Sequence, residues 1–314
     1  MKKNNPTITI VGAGNVGSQT AFYAALQNLG NIILIDVVEG LPQGKALDIQ
    51  QSLSLTNSTS TILGTNKYED TKDSNIIIIT AGIARKPGMS REELYTINAG
   101  IIQTVLQNIL SFSQNPIIIV VTNPLDAMVK LVYDISRLPK HRILGMAGTL
   151  DTARFKHFIA QELNCPAQQI NTLVLGTHGD AMVPILSHTT FNNQPISQLL
   201  HPEKINEIVK RTQHGGAEIV NYLKTGSAFF APALAIVELL HAIINDTKAT
   251  LSCSVLLQGE YNVQDIFMGV PVQLGKEGIE NIVQIELSPE EKIQLQHAAE
   301  HIKSITPVNS IKKQ

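Results

Sequence analysis

"ITIVGAGNVG", residues 8–17, is the stretch on which the fold turns. An apolar, β-branched run ends in glycines at 12, 14 and 17, and helix-forming residues follow. The spacing G-x-G-x-x-G is weak evidence alone. Placed between a strand and a helix, it predicts a dinucleotide-binding turn. Gly12 allows the tight turn, Gly14 lets backbone approach a pyrophosphate, and Gly17 permits close packing. The pyrophosphate then sits at a helix N-terminus, where free N–H groups and the dipole favour an anion. Asp36 ends the next apolar run, about 20 residues on, where a ribose-binding acid belongs. The residues after it are Val37, Val38 and Glu39, with no arginine to take a 2′-phosphate, so NAD is favoured over NADP.

Working outward, more runs of the same kind appear: "TITIV" (7–11), "NIILID" (31–36), "STILGT" (60–65), "NIIIIT" (75–80), "PIIIVV" (116–121) and "RILGMA" (142–147). Continuous Ile/Val runs suit parallel strands buried on both faces. Alternating with helical patterns, they predict a doubly wound α/β sheet over residues 1–147. Beyond Gly148 the pattern changes. A helix at 149–163 is followed by "INTLVLG" (170–176), "LSCSVLLQ" (251–258), "IFMGVPVQLG" (266–275) and "IENIVQIEL" (279–287). These predict an α+β domain with an antiparallel sheet over 148–314. Residues 214–240 read as helical. Ser288, Pro289 and Glu291 start a final helix with a capping box.

Composition narrows the function classes. The chain has 314 residues, 43% hydrophobic and 16% charged, with net charge −2. That suits two globular domains. It gives no general attraction to nucleic acid or to an anionic membrane. Cys165 and Cys253 have no CxxC spacing, so reduced, half-buried thiols and no metal site are expected. "MKKNNP" has no apolar region behind it and does not read as a signal peptide. A cytoplasmic location is expected.

Several segments carry candidate chemistry. Asn123 in "VVTNPLD" stands at the carboxyl end of a strand, where open α/β sheets bind ligands; it also reads as a helix N-cap. Asp151 and Arg154 in "TLDTARF" are three apart on one helical face, and by spacing alone read as an exposed ion pair. His178 in "LGTHGDAMVP" is one of nine histidines, set between Thr177 and Gly179 just after a strand. Asp180 or Asp151 would serve as its orienting acid, and spacing does not choose. "TAGIARKPGMSREEL" (80–94) holds Arg85 and Arg91 around a Lys-Pro-Gly. Ser90 and Glu93 predict a capping box, which puts Arg91 at the first helical position, where the dipole disfavours a cation. A local rule broken there points to function, and the segment reads as a lid.

Together "GAGNVG", "GKALDIQ", "TAGIARKPGMSR", "VTNPLDAM", "MAGTLDTARF", "GTHGDAMVP" and "TGSAFFAPA" resemble the lactate/malate dehydrogenase family. The arginine-bearing loop is similar to that of the family's malate-specific branch. Thr149 and Thr177 depart from a common pattern of Val and Gly, and read as minor changes. The resemblance implies NAD as cofactor, held by Gly12, Gly14, Asn15, Val16, Gly17, Asp36, Asn98 and Asn123. It implies His178 as general acid/base, Asp151 as its partner, and Arg91 as the group polarising the reacting carbonyl. Arg154 and Arg85 would bind the two carboxylates of a dicarboxylic 2-hydroxy acid, with Asn123 also at the substrate. It further implies a small-molecule substrate, no nucleic-acid or membrane partner, and a homo-oligomer, dimer or tetramer. A lactate or other 2-hydroxy-acid dehydrogenase, or a non-catalytic NAD sensor, are the alternatives.

Overall fold

Six short strands form the first half: β1 (Thr7–Val11), β2 (Asn31–Ile35), β3 (Ile62–Thr65), β4 (Ile76–Ile79), β5 (Ile117–Val120) and β6 (Ile143–Met146). All are parallel and ordered β3-β2-β1-β4-β5-β6. The computed structural model describes residues 5–84 and 88–305, with Arg91 by its backbone only. The Ile/Val runs become strands because helices cover both faces. Ile78 and Ile79 of β4 and Ile118 and Ile119 of β5 have no exposed surface. Burying such side chains contributes roughly 1.5–3 kcal/mol each. α1 (Asn15–Leu26) and α2 (Leu41–Leu53) pack with one core cluster; α3 (Arg91–Ile109) and α4 (Leu125–Ser136) pack with the other.

The second half begins with α5 (Gly148–Leu163), then β7 (Ile170–Asn171), β8 (Val174–Gly176) and β9 (Met182–Pro184). β10 (Thr190–Phe191) and β11 (Gln194–Pro195) complete a small sheet with β7. α6 (Pro202–Leu223) and α7 (Phe230–Ile244) follow, then β12 (Thr250–Gln258), β13 (Gln264–Gly275), β14 (Gly278–Ile282) and α8 (Pro289–Ile305).

The antiparallel sheet expected in this half is present in two parts: β7, β10 and β11 form a separate three-stranded sheet, while β8, β9, β12, β13 and β14 extend the parallel one. β12 pairs antiparallel with β6, Cys253 opposite Met146 and Ser254 opposite Gly145. This makes one continuous 11-stranded sheet and covers the otherwise open edge of the parallel half. It also fixes the two halves in one orientation.

Three local expectations differ. The last strand stops at Ile282 rather than 287. Residues 214–240 are two helices: Lys224 takes φ +62 and Gly226 φ +85, which ends α6 and turns the chain before α7. Cys253 is fully buried rather than half-buried, and desolvation pushes its thiol far above the usual value, which leaves it inert. The two capping boxes form as read, at Ser90 with Glu93 and at Ser288 with Glu291. No helix among the described residues is long and apolar enough to cross a membrane.

Candidate active site

The carboxyl ends of β1, β4 and β5 open into a cleft of about 690 Å³, which runs from the glycine turn to His178. It lies where the strand order reverses, the usual ligand position in such sheets.

The nucleotide end is built from backbone. Gly12 has φ +107, and a Cβ there would meet Thr80 Oγ1 at 2.7 Å and the Ala81 nitrogen at 2.9 Å. Thr80 Oγ1 donates to the carbonyls of Val11 and Gly12 and holds the turn against β4. A Cβ on Gly17 would fall 1.9 Å from the Gly12 carbonyl oxygen, so only glycine lets α1 start this close to the turn. Nothing lies within 4 Å of a Cβ on Gly14, and no side chain caps α1. The first N–H groups of α1, at Asn15, Val16 and Gly17, therefore lack helical partners and border open space. That is the donor set a pyrophosphate needs. Asp36 accepts from Ala13 N at 2.7 Å and Val38 N at 3.0 Å, which fixes its carboxylate beside the turn. These residues fit a dinucleotide.

The other end is built from side chains. β8 and β9 are joined by a short loop that carries His178, and α5 places Asp151 beneath it. His178 Nδ1 lies 2.9 Å from Asp151 Oδ2. A carboxylate only accepts, so Nδ1 carries the hydrogen and Nε2 is left for other work. Burial alone would lower the His178 pKa, but the charge and hydrogen bond of Asp151 outweigh it, and the net shift is upward. Asp151 is thus the carboxylate bonded to His178; Asp180 is exposed on the loop.

Arg154 Nη1 lies 3.3 Å from Asp151 Oδ1. The exposed ion pair suggested by spacing is instead largely buried, with side-chain exposures of 14% and 2%. This long contact is the one hydrogen bond of Arg154 among the described residues. A guanidinium has five donors, so four have no partner among the described residues. A partly buried cation with spare donors is suited to an anion.

Asn123 is exposed at the end of β5, and its side chain has no hydrogen bond among the described residues. It is not the N-cap of α4; Pro124 holds that position, and the Asn123 amide is left facing the cleft. Asn98 is wholly buried. Arg85, Lys86 and Pro87, the centre of the segment read as a lid, lie outside the described residues. Arg91 begins α3, directly after the Ser90 cap.

Sequence reading passed over one feature. Asp126 is 4% exposed and accepts from Thr177 Oγ1 and Ser254 Oγ, both at 2.7 Å. Burial raises its pKa, and the two hydroxyls oppose that. The network ties α4 and β12 to the residue before His178. Thr177 and Thr149, read as minor changes, both use their hydroxyls: Thr149 Oγ1 donates to the Ser252 carbonyl at 2.9 Å. The hydroxyl at Thr177 was the only signal, and its partner is 51 residues away. The 224–229 break also lines the cleft, through Gly226, Ser227, Ala228 and Phe229.

With this geometry in view, residues 6–145 match the lactate/malate dehydrogenase NAD binding domain, and residues 148–310 match its alpha/beta C-terminal domain. The chain belongs to the lactate/malate dehydrogenase family. NAD is the cofactor of its first domain. A malate dehydrogenase of Pelodictyon phaeoclathratiforme is 51% identical over 93% of this chain and 94% of its own length. Among solved structures, Cryptosporidium parvum malate dehydrogenase has TM-score 0.93 and 41% identity, covering 96% of this chain and 98% of that one. The lactate dehydrogenase of the same organism, complexed with lactic acid and the cofactor, has TM-score 0.94 and 39% identity, with 98% of each chain covered. The backbone is thus equally like proteins named for either substrate. Side chains at the cleft must carry the choice.

Proposed function

We propose that this chain is an NAD-dependent malate dehydrogenase, interconverting (S)-malate and oxaloacetate. The observation that carries the reading is the chain Arg154–Asp151–His178 in the same cleft as the glycine turn. Malate dehydrogenases among the relatives at about 50% identity support the substrate.

Arg154 takes the C1 carboxylate with its free donors, which points C2 toward His178. Nε2 of His178 accepts the C2 hydroxyl proton during oxidation and returns it during reduction. Asp151 holds the ring by Nδ1 and stabilises the imidazolium that forms. NAD, when bound, supplies the hydride chemistry at C2. Asn123 offers its amide at the junction of substrate and cofactor. Arg91 stabilises negative charge on the reacting oxygen. Arg85 pairs the second carboxylate. The division of labour falls at residues 147 and 148.

Arg85 decides between substrates. Pyruvate has a methyl where oxaloacetate has a carboxylate, and it would leave a desolvated guanidinium unpaired. Sites built to bond a polar group reject the analogue lacking it by roughly 10⁴ or more. Loss of NADH absorbance with each oxo acid tests this. Oxaloacetate is expected to win by kcat/KM, and equal values sink the proposal. Arg85→Gln is expected to move preference toward pyruvate.

The partner proposed is a second copy of the chain. Phe230 and Leu234, one turn apart on α7, are 58% and 47% exposed, and Leu47 on α2 is 61% exposed. Large apolar side chains left exposed in this way suit an interaction surface. Sedimentation should give a dimer or tetramer; a monomer at micromolar concentration refutes it.

A further inference from the structure

Asn98, on α3, has no exposed surface, yet it sits between two segments that line the cleft. Its Oδ1 accepts from Ile83 N at 2.8 Å, and its Nδ2 donates to Ile83 O at 3.2 Å. The side-chain amide thus pairs with one residue's N–H and C=O together, as a neighbouring strand would. The same Nδ2 also donates to Asn123 O at 2.7 Å. Both donors of the amide are therefore spent on backbone, and none is left for a ligand.

The surroundings tighten this joint. Gly82 has φ +154, and a Cβ there would lie 2.5 Å from Thr122 Cγ2 and 3.1 Å from Asn98 Oδ1. Thr122 Oγ1 donates to Ala81 O at 2.7 Å. The exits of β4 and β5 are laid directly on each other, and Asn98 closes the seam one residue past each contact.

We propose that Asn98 is a positioning residue that fixes the Asn123 backbone against Ile83, and so aims the Asn123 amide at the reacting groups. The resemblance places Asn98 among cofactor contacts; the geometry gives it an indirect task. The proposal rests on the dehydrogenase reading only for its assay.

The test is a double-mutant cycle with Asn98→Ala, Asn123→Ala and both, using whichever 2-oxo acid the wild-type chain reduces. Residues acting as a unit give non-additive losses. Each single variant is expected to lose roughly tenfold in kcat/KM, and the double no more than the worse single. The NADH dissociation constant, read by fluorescence titration, should change by less than about twofold in Asn98→Ala. Losses that multiply in the double variant overturn the proposal. So does a loss confined to NADH affinity, which would make Asn98 a direct cofactor contact. Asn98→Ala strands buried polar groups and lowers stability. Asn98→Asp is therefore run in parallel; it keeps the volume and the acceptor for Ile83 N, and must show the same coupling. If the wild-type chain ignores oxaloacetate but reduces another oxo acid, the substrate reading fails while this assignment is still decided.

Discussion

The nucleotide end of the cleft is made of backbone and empty space, whereas the catalytic end is made of side chains from α5, the β8–β9 loop, α4 and β12. At the first end the contribution of Gly12, Gly14 and Gly17 is what they leave out. At the second, Asp151, Arg154, His178 and Asp126 come from segments up to 52 residues apart in sequence and meet within hydrogen-bond range, with Asp126 reaching His178 through the neighbouring Thr177. The difference teaches that the two functions of one cleft should fail separately. Cofactor binding should be lost by adding atoms, and chemistry by removing them.

The largest effect that probes this separation is expected from His178→Asn. General acid–base groups contribute roughly 10²–10⁴ in rate. Turnover should fall by that order, while NADH binding, read by fluorescence, stays intact. A variant that also loses NADH would show the two ends to be coupled.

Asp151 offers a pH test of the side-chain end. Its charge and hydrogen bond raise the His178 pKa above the ordinary 6.5 against the effect of burial. Oxo-acid reduction needs the imidazolium. Its kcat/KM should therefore be flat at low pH and fall about tenfold per pH unit above the raised value. Hydroxy-acid oxidation should rise over the same range. Asp151→Asn should move both limbs to lower pH, and limbs that stay in place would refute the pairing. The stability linkage has the matching sign: a raised folded-state pKa stabilises the protein below about 6.5, and that contribution is lost as pH rises through the raised value.

Gly17→Ala addresses the backbone end. The added Cβ would sit 1.9 Å from the Gly12 carbonyl oxygen. Overpacking of this kind costs about 1–3 kcal/mol, and here it displaces the turn or α1. NADH affinity should weaken, and the thermal midpoint should fall. Normal NADH affinity in a folded variant would break the claim that space alone makes this end.

The smallest effect is expected from Thr177→Val. It removes one of two hydroxyls that hold buried Asp126. Stability should drop by about 1–3 kcal/mol in denaturant titration, with NADH affinity unchanged. No change in stability would mean that Ser254 alone satisfies the carboxylate.

Legibility followed the same divide. The glycine turn, Asp36 and the parallel strands were readable because each depends on neighbours in sequence: a run of isoleucines, a spacing of glycines, an acid after a strand. The capping boxes were readable for the same reason, since Ser90 and Glu93 are one helical turn apart. Asp151 with Arg154 was visible as a pair, but spacing assigned it to the surface. Whether a helical face is buried depends on what packs over it, and α6, which packs against α5, lies some 50 residues further on. The Asp126 network was not legible: its hydroxyls come from residues 51 and 128 positions away.

By itself the sequence determined which segments become strands, where the dinucleotide turn falls, and which residue types are available for acid–base and carboxylate chemistry, because these follow from local periodicity and local sterics. Tertiary structure decided the rest. It chose Asp151 as the carboxylate bonded to His178, ran β12 and the strands paired beyond it onto β6, and buried Asp126 between two hydroxyls. Each of these is a contact between distant segments. Its energy depends on burial and on donor–acceptor distance, and neither exists until the chain has folded.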